Sequence, residues 1–145
     1  MKNRFLIYSF LIVVILTGCK KPTPDPTPDP LKIQLENLKN ANVSWGIVGG
    51  SVVKDGYDVS SQFTGFTLTI GEFTYTTQNS LASAWASSGS WQFNANNPNK
   101  IVRDDGVLVE VNLINNVLIL TFYVSNIGGR SNGINGNYTF TLTSN

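Results

Sequence analysis

Few side chains in this sequence have the chemistry of a catalyst. Its 145 residues include no histidine and one cysteine, Cys19. That composition removes Ser-His-Asp and Cys-His nucleophile pairs and the usual zinc sites. Carboxylates remain, and glycoside hydrolysis needs two of them. Asp55 and Asp58 with Glu72 are the available set, but no spacing rule brings them together. Asp104-Asp105-Gly106 has two oxygen ligands for calcium, where a calcium loop needs several spaced ones, so the tripeptide reads as a turn. Gly128-Gly129-Arg130 has the makings of an anion-binding nest with Arg130 as its clamp. Trp45, Trp85 and Trp91 have flat faces that stack on sugars or line cavities. Trp45 and Trp91 alternate with polar neighbours and read as core. Trp85 lies in residues 78–89, which have no strand alternation, and is the best single ligand-binding residue if it is exposed. No catalytic residue, metal or cofactor is implied, and the sequence does not read as an enzyme.

Cys19 is defined by what precedes it. Lys2 and Arg4 form a basic start, and residues 5–16 (FLIYSFLIVVIL) form a run in which Ser9 is the only clearly polar member. A basic start, a short apolar run and small residues after it make a secretory signal. The run falls short of the roughly 20 residues needed to span a bilayer, and Lys20-Lys21 follow almost at once. Leu16-Thr17-Gly18-Cys19 resembles the lipobox of bacterial lipoproteins. That resemblance implies a diacylglyceryl group on the Cys19 thiol, cleavage before Cys19 and acylation of the new terminus. Stable anchoring needs more than one acyl chain, and such an anchor supplies them. With Cys19 consumed, the exported part has no thiol and no disulfide.

Three segments follow: residues 1–18 as signal, 19–30 as lipidated cysteine and linker, and 31–145 as one domain. Five of the six prolines alternate through the linker, KKPTPDPTPDP. Proline fixes φ and removes amide donors, so this stretch reads as a polyproline II stalk of about 3.1 Å per residue. The domain has six basic and seven acidic residues, a net charge of −1, and no basic stripe, which argues against a nucleic-acid partner.

Within the domain, Leu31, Leu35 and Leu38 stand at i, i+4, i+7, and Glu36 is at pairing distance from Lys32 and Lys39. This predicts one short amphipathic helix over residues 31–41, capping a sheet. The period then changes to two. Val43, Trp45 and Ile47 form one expected strand before Gly49-Gly50, with Val52-Val53 in a second. Phe66, Leu68 and Ile70 precede a turn at Gly71-Glu72 into Phe73 and Tyr75, and Trp91 with Phe93 marks another strand. Residues 94–99 read as a polar turn containing Pro98. Arg103-Asp104-Asp105-Gly106 and Asn115-Asn116 read as hairpin turns. Residues 117–124 (VLILTFYV) are apolar on both faces at first, as in a central or helix-covered strand, and Tyr138, Phe140 and Leu142 alternate in the last. Eight or nine short strands with hairpin-length connections predict a mainly β fold. The expected form is a small antiparallel up-and-down barrel, lipocalin-like, with one N-terminal helix; the alternative is a two-sheet β-sandwich.

Ser90-Trp91-Gln92-Phe93, Ile101 through Gly106, the strand from Leu118 to Phe122, and Gly129-Arg130 leading to Phe140-Thr141-Leu142 resemble the C-terminal half of lipocalin-like domains of Bacteroidota lipoproteins. Trp45 in the first strand fits that family, although Trp45-Gly46 departs from the Gly-any-Trp opening of true lipocalins. The resemblance implies a barrel. The expected protein is a lipid-anchored envelope lipoprotein, at the outer membrane, held through Cys19. Its domain is expected to bind a small apolar molecule or a glycan at Trp85 and Arg130. The alternative is a structural or interaction subunit of an envelope complex with a filled barrel, which an apolar surface patch in place of an internal cavity would favour.

Overall fold

The structure is a computed structural model that describes residues 27–125 and 133–145. A helix α1 (Pro30–Lys39) leads into nine strands: β1 (Trp45–Lys54), β2 (Tyr57–Asp58), β3 (Thr67–Ile70), β4 (Thr74–Gln78), β5 (Ser88–Asn94), β6 (Asn97–Arg103), β7 (Leu108–Ile114), β8 (Val117–Val124) and β9 (Gly136–Ser144). From β3 onward each strand pairs antiparallel with its sequence neighbours, and β1 pairs with both β3 and β9. Eight strands therefore close into a barrel, with β2 as a two-residue appendage on β1. The sandwich alternative is excluded by this closure. Side chains alternate across the wall. Leu118, Leu120, Phe122 and Val124 point inward from β8, as do Tyr138, Phe140 and Leu142 from β9. Thr69, Gln92, Glu110, Asn112, Thr121 and Thr139 face outward. An apolar inside with hydroxyl and amide side chains on the outside is the reverse of the pattern of a membrane-spanning barrel.

Local chemistry explains the turns and several departures from expectation. Pro30 belongs to the helix and not the linker: it takes the first helical position, where its missing N–H costs nothing, and Asp29 caps by accepting the Leu31 amide at 2.9 Å. The helix stops at Asn40, and Asn40, Ala41 and Asn42 all have positive φ. The Glu36–Lys39 pair forms at 3.2 Å. The polar turn expected over residues 94–99 is shorter. Ala95 and Asn96, at φ 50° and 56°, make a two-residue turn, and Pro98 sits at the start of β6. Asn115 and Asn116 (φ 48° and 64°) turn β7 into β8 as their side chains predict. The helix covers the end of the barrel beside β3 and β6 and does not lie over β8.

The two strands expected on either side of Gly49-Gly50 are one bulged strand. Between Gly46 and Ser51, β1 advances five residues while β9 advances two, from Thr143 to Thr141. Gly49 takes φ 76° in the bulge. A Cβ on Gly50 would overlap the Thr141 carbonyl oxygen. Gly50→Ala is therefore expected to push β1 off β9 and cost about 2 kcal/mol, the scale of an overpacked contact. The urea midpoint measures it, and an unchanged midpoint would mean the bulge is slack.

Candidate functional site

The barrel has two poles. One is the mouth, formed by the β1–β2 turn, a 3-10 turn at Ser60–Phe63, the β4–β5 loop and the β6–β7 turn. The other carries α1, the β3–β4 turn, the β5–β6 and β7–β8 turns and the C-terminal end of β9. In a barrel of eight strands the interior is either filled by side chains or holds one small ligand.

At the mouth, the β4–β5 loop folds inward. Ala84 and Trp85 donate their amides to Leu81 O at 2.8 Å each, and Thr77 ties the loop down by donating its hydroxyl to Ala86 O at 2.9 Å. Trp85 is 2% exposed and stands in the barrel, against Phe122 at 5.1 Å and Tyr75 at 5.9 Å between ring centroids. Phe63 enters from the other side, 5.0 Å from Phe140. The exposed edge position that would make Trp85 a ligand-binding residue is not where it lies; burial of its ring fills the axis of the barrel. Trp45 and Trp91 are core residues too, donating their ring N–H groups to Leu38 O at 2.9 Å and Thr74 O at 3.2 Å.

Arg103 completes the plug. Its side chain points inward in step with Ile101, and only 4% of the residue is exposed. The guanidinium carbon lies 4.5 Å over the Trp85 ring and 5.4 Å over Phe122. Its Nη1 donates to Ala84 O at 3.2 Å, its Nε to Asp105 Oδ1 at 3.1 Å, and its Nη2 to Asp105 Oδ2. Partial burial acts to raise the Asp105 pKa, but hydrogen bonds from Arg103 and the Val107 amide outweigh it and hold the carboxyl below its ordinary value of 3.8. Burial raises the Tyr75 phenol; Arg103 opposes the shift, while Asp104 and Asp105 add to it. Among the described residues, the Tyr75 hydroxyl and the Trp85 ring N–H are buried without a hydrogen-bond partner.

The remaining candidates separate. Cys19, Arg130 and Gly128-Gly129 lie outside the described residues. Asp55 accepts the Asn137 amide at 2.9 Å, and Asp58 accepts the Ser60 amide at 2.8 Å, both at the mouth. Glu72 is in the β3–β4 turn at the opposite pole, so these carboxylates do not converge. Asp104 and Asp105 make a turn: Asp104 accepts the Ser90 amide at 3.0 Å, and Asp105 accepts that of Val107 at 3.1 Å. Among the described residues, no group of three or more acidic or cysteine side chains is placed to hold a metal.

The helix pole carries open apolar surface around Ile33 and Phe73. Two troughs flank α1, of about 640 Å³ beside Ile33 and about 390 Å³ between Leu31, Leu35, Phe73 and Phe93. Phe73 is 42% exposed and has φ 58°, a left-handed conformation that a bulky residue rarely adopts. Its carbonyl accepts the Trp91 amide at 2.9 Å, and its ring packs on Trp91 at 5.4 Å.

The sequence reading missed Arg103 and Phe73. Arg103 was readable in principle, since it shares the inward parity of Ile101, but the Arg-Asp-Asp-Gly turn signal masked it. The left-handed Phe73 had no signal, because nothing in Gly71-Glu72-Phe73-Thr74 says which residue takes positive φ. No protein-family model matches this chain, and no curated protein or solved structure matches it either.

Proposed function

We propose that the chain is an envelope lipoprotein, tethered at the outer membrane through lipid on Cys19 and a proline stalk, whose barrel is an interaction subunit working through its outer surface. The observation that carries this reading is the filled interior: Trp85, Phe122, Phe63 and Phe140 occupy the axis where a small apolar ligand would sit. Admitting one would require withdrawing a buried tryptophan stacked on a buried arginine. Native mass spectrometry of the full chain released from nanodiscs tests it. A mass with nothing bound beyond the anchor is expected, and a retained small molecule would overturn it. The tether has its own test, metabolic labelling with an alkynyl fatty acid. Cys19→Ser is expected to lose the label completely, and persistent labelling would sink the lipid assignment.

A polar trough supports glycan binding as a second reading. It has about 510 Å³ and is walled by Asn97, Asn99, Asn112 and Thr121, with Lys100 paired to Glu110 at 3.1 Å. Amides, a hydroxyl and an ion pair beside the apolar side chain of Ile119 on an outer sheet face suit a sugar, which has both hydroxyls and an apolar ring face.

A further inference from the structure

We propose that the apolar surface around α1 is a docking groove for a basic amphipathic helix of a protein partner. The inference rests on the interaction reading above and names where and what the barrel binds.

The surface has the parts such a site needs. Ile33 is 49% exposed on one side of α1, and Phe73 is 42% exposed on the other. The two troughs share Asp29, Lys32 and Glu36, so they run together over the helix. An amphipathic helix offers apolar anchors at i, i+3, i+4 and i+7 to a groove of this kind. Phe73 is held in a strained conformation with its ring outward over Trp91 and Phe93, and its rigid ring suits it to serve as an anchor.

Charge selects the occupant. Asp29, Glu36 and Glu72 line the troughs against Lys32 alone, while Lys39 engages Glu36 from the last turn of α1. Phosphate-bearing lipid headgroups meet excess carboxylate here and are repelled. A second copy of the chain, docked symmetrically, would set the same acidic rim against itself. A helix with lysine or arginine flanking its apolar stripe meets both the apolar floor and the acidic rim.

The test uses the full chain in phosphatidylcholine nanodiscs and a fluorescent synthetic helix of leucine and lysine in amphipathic order. Saturable binding is expected, with a loss of about tenfold or more for Ile33→Asp and for Glu72→Lys, the loss expected when an anchor or a complementary charge is removed. The same peptide with glutamate for lysine is expected not to bind. Both substituted positions are at the surface, and unchanged circular dichroism will confirm that the variants fold. Equal binding of the two peptides, or variants that bind as well as the parent, would overturn the proposal. So would preferential binding of phosphatidylglycerol vesicles, which makes the groove a membrane contact, or concentration-dependent pairing of the chain lost in Ile33→Asp. In cells, a photo-crosslinker at Ile33 separates this failure from that of the interaction reading. Discrete protein adducts from Tyr57, itself 77% exposed, with none from Ile33, would reject the groove and retain an interaction subunit. Adducts from neither position would reject both.

Discussion

Replacing Trp85 by alanine is expected to bring the protein close to unfolding in water. Truncating a buried tryptophan costs about 3–5 kcal/mol, because the transfer energy of the ring is lost and the neighbours collapse only partly into the hole. Here the ring is also the platform for the Arg103 guanidinium, 4.5 Å from its centroid, a contact worth up to about 2 kcal/mol when desolvated. Against a typical domain stability of about 5–15 kcal/mol, that is a large fraction of the whole. Thermal unfolding followed by far-ultraviolet circular dichroism should shift down by on the order of 15 °C. Trp85→Phe should cost much less, since phenylalanine keeps an aromatic platform and removes a ring N–H that has no partner among the described residues. If alanine and phenylalanine destabilise equally, the ring is not the packing element described above.

The second large effect belongs to Arg103. Arg103→Ala leaves the Ala84 carbonyl without its donor, opens space beneath Trp85 and removes both ring contacts, for an expected loss of about 3 kcal/mol. Arg103→Met should be milder, because a buried ion pair is often replaceable by an apolar side chain of similar length. Asp105, 42% exposed at its side chain, is left to water in both cases. That exposure keeps the pair's own net contribution to about 1 kcal/mol or less, the scale of a solvent-exposed ion pair. It also makes the contribution depend on pH. The folded pKa of Asp105 is depressed below 3.8, so its stabilisation is fully present above that ordinary value and is lost as pH falls through the lower, folded one. The gap between parent and Arg103→Met in urea midpoint should therefore be constant from pH 7 to about pH 5 and narrow as pH falls below the ordinary Asp value of 3.8. A gap that persists undiminished in acid would mean that Asp105 does not respond to Arg103.

What was legible in the sequence was whatever has a period or an obligatory turn residue. Period-two alternation in Tyr138-Thr139-Phe140-Thr141-Leu142 identifies an inward and an outward face regardless of partners, and Asn115-Asn116 makes its turn with its own side chains. Gly49-Gly50 misled because glycine marks both the end of a strand and a bulge within one. Only the partner strand decides, and Thr141 is 91 residues away from Gly50 in the chain. Trp85 was harder still. Its segment has no periodicity, so nothing local indicates whether the ring turns outward or into the barrel. Its burial is set by Tyr75, on the strand that leads into its loop, and by Phe122, Phe140 and Arg103, from strands that do not flank the loop.

Every wall strand from β3 onward pairs with the strand just made, whereas β1 must wait for β9 to complete its hydrogen bonding. A chain synthesised from its N-terminus therefore holds one unsealed seam until the nine residues of β9 have emerged. Until then its first strand lacks a partner along most of its length, and the aromatic filling from Tyr138 and Phe140 is missing. Closure of the β1–β9 seam is therefore the contact that completes both the hydrogen bonding of the wall and the aromatic filling.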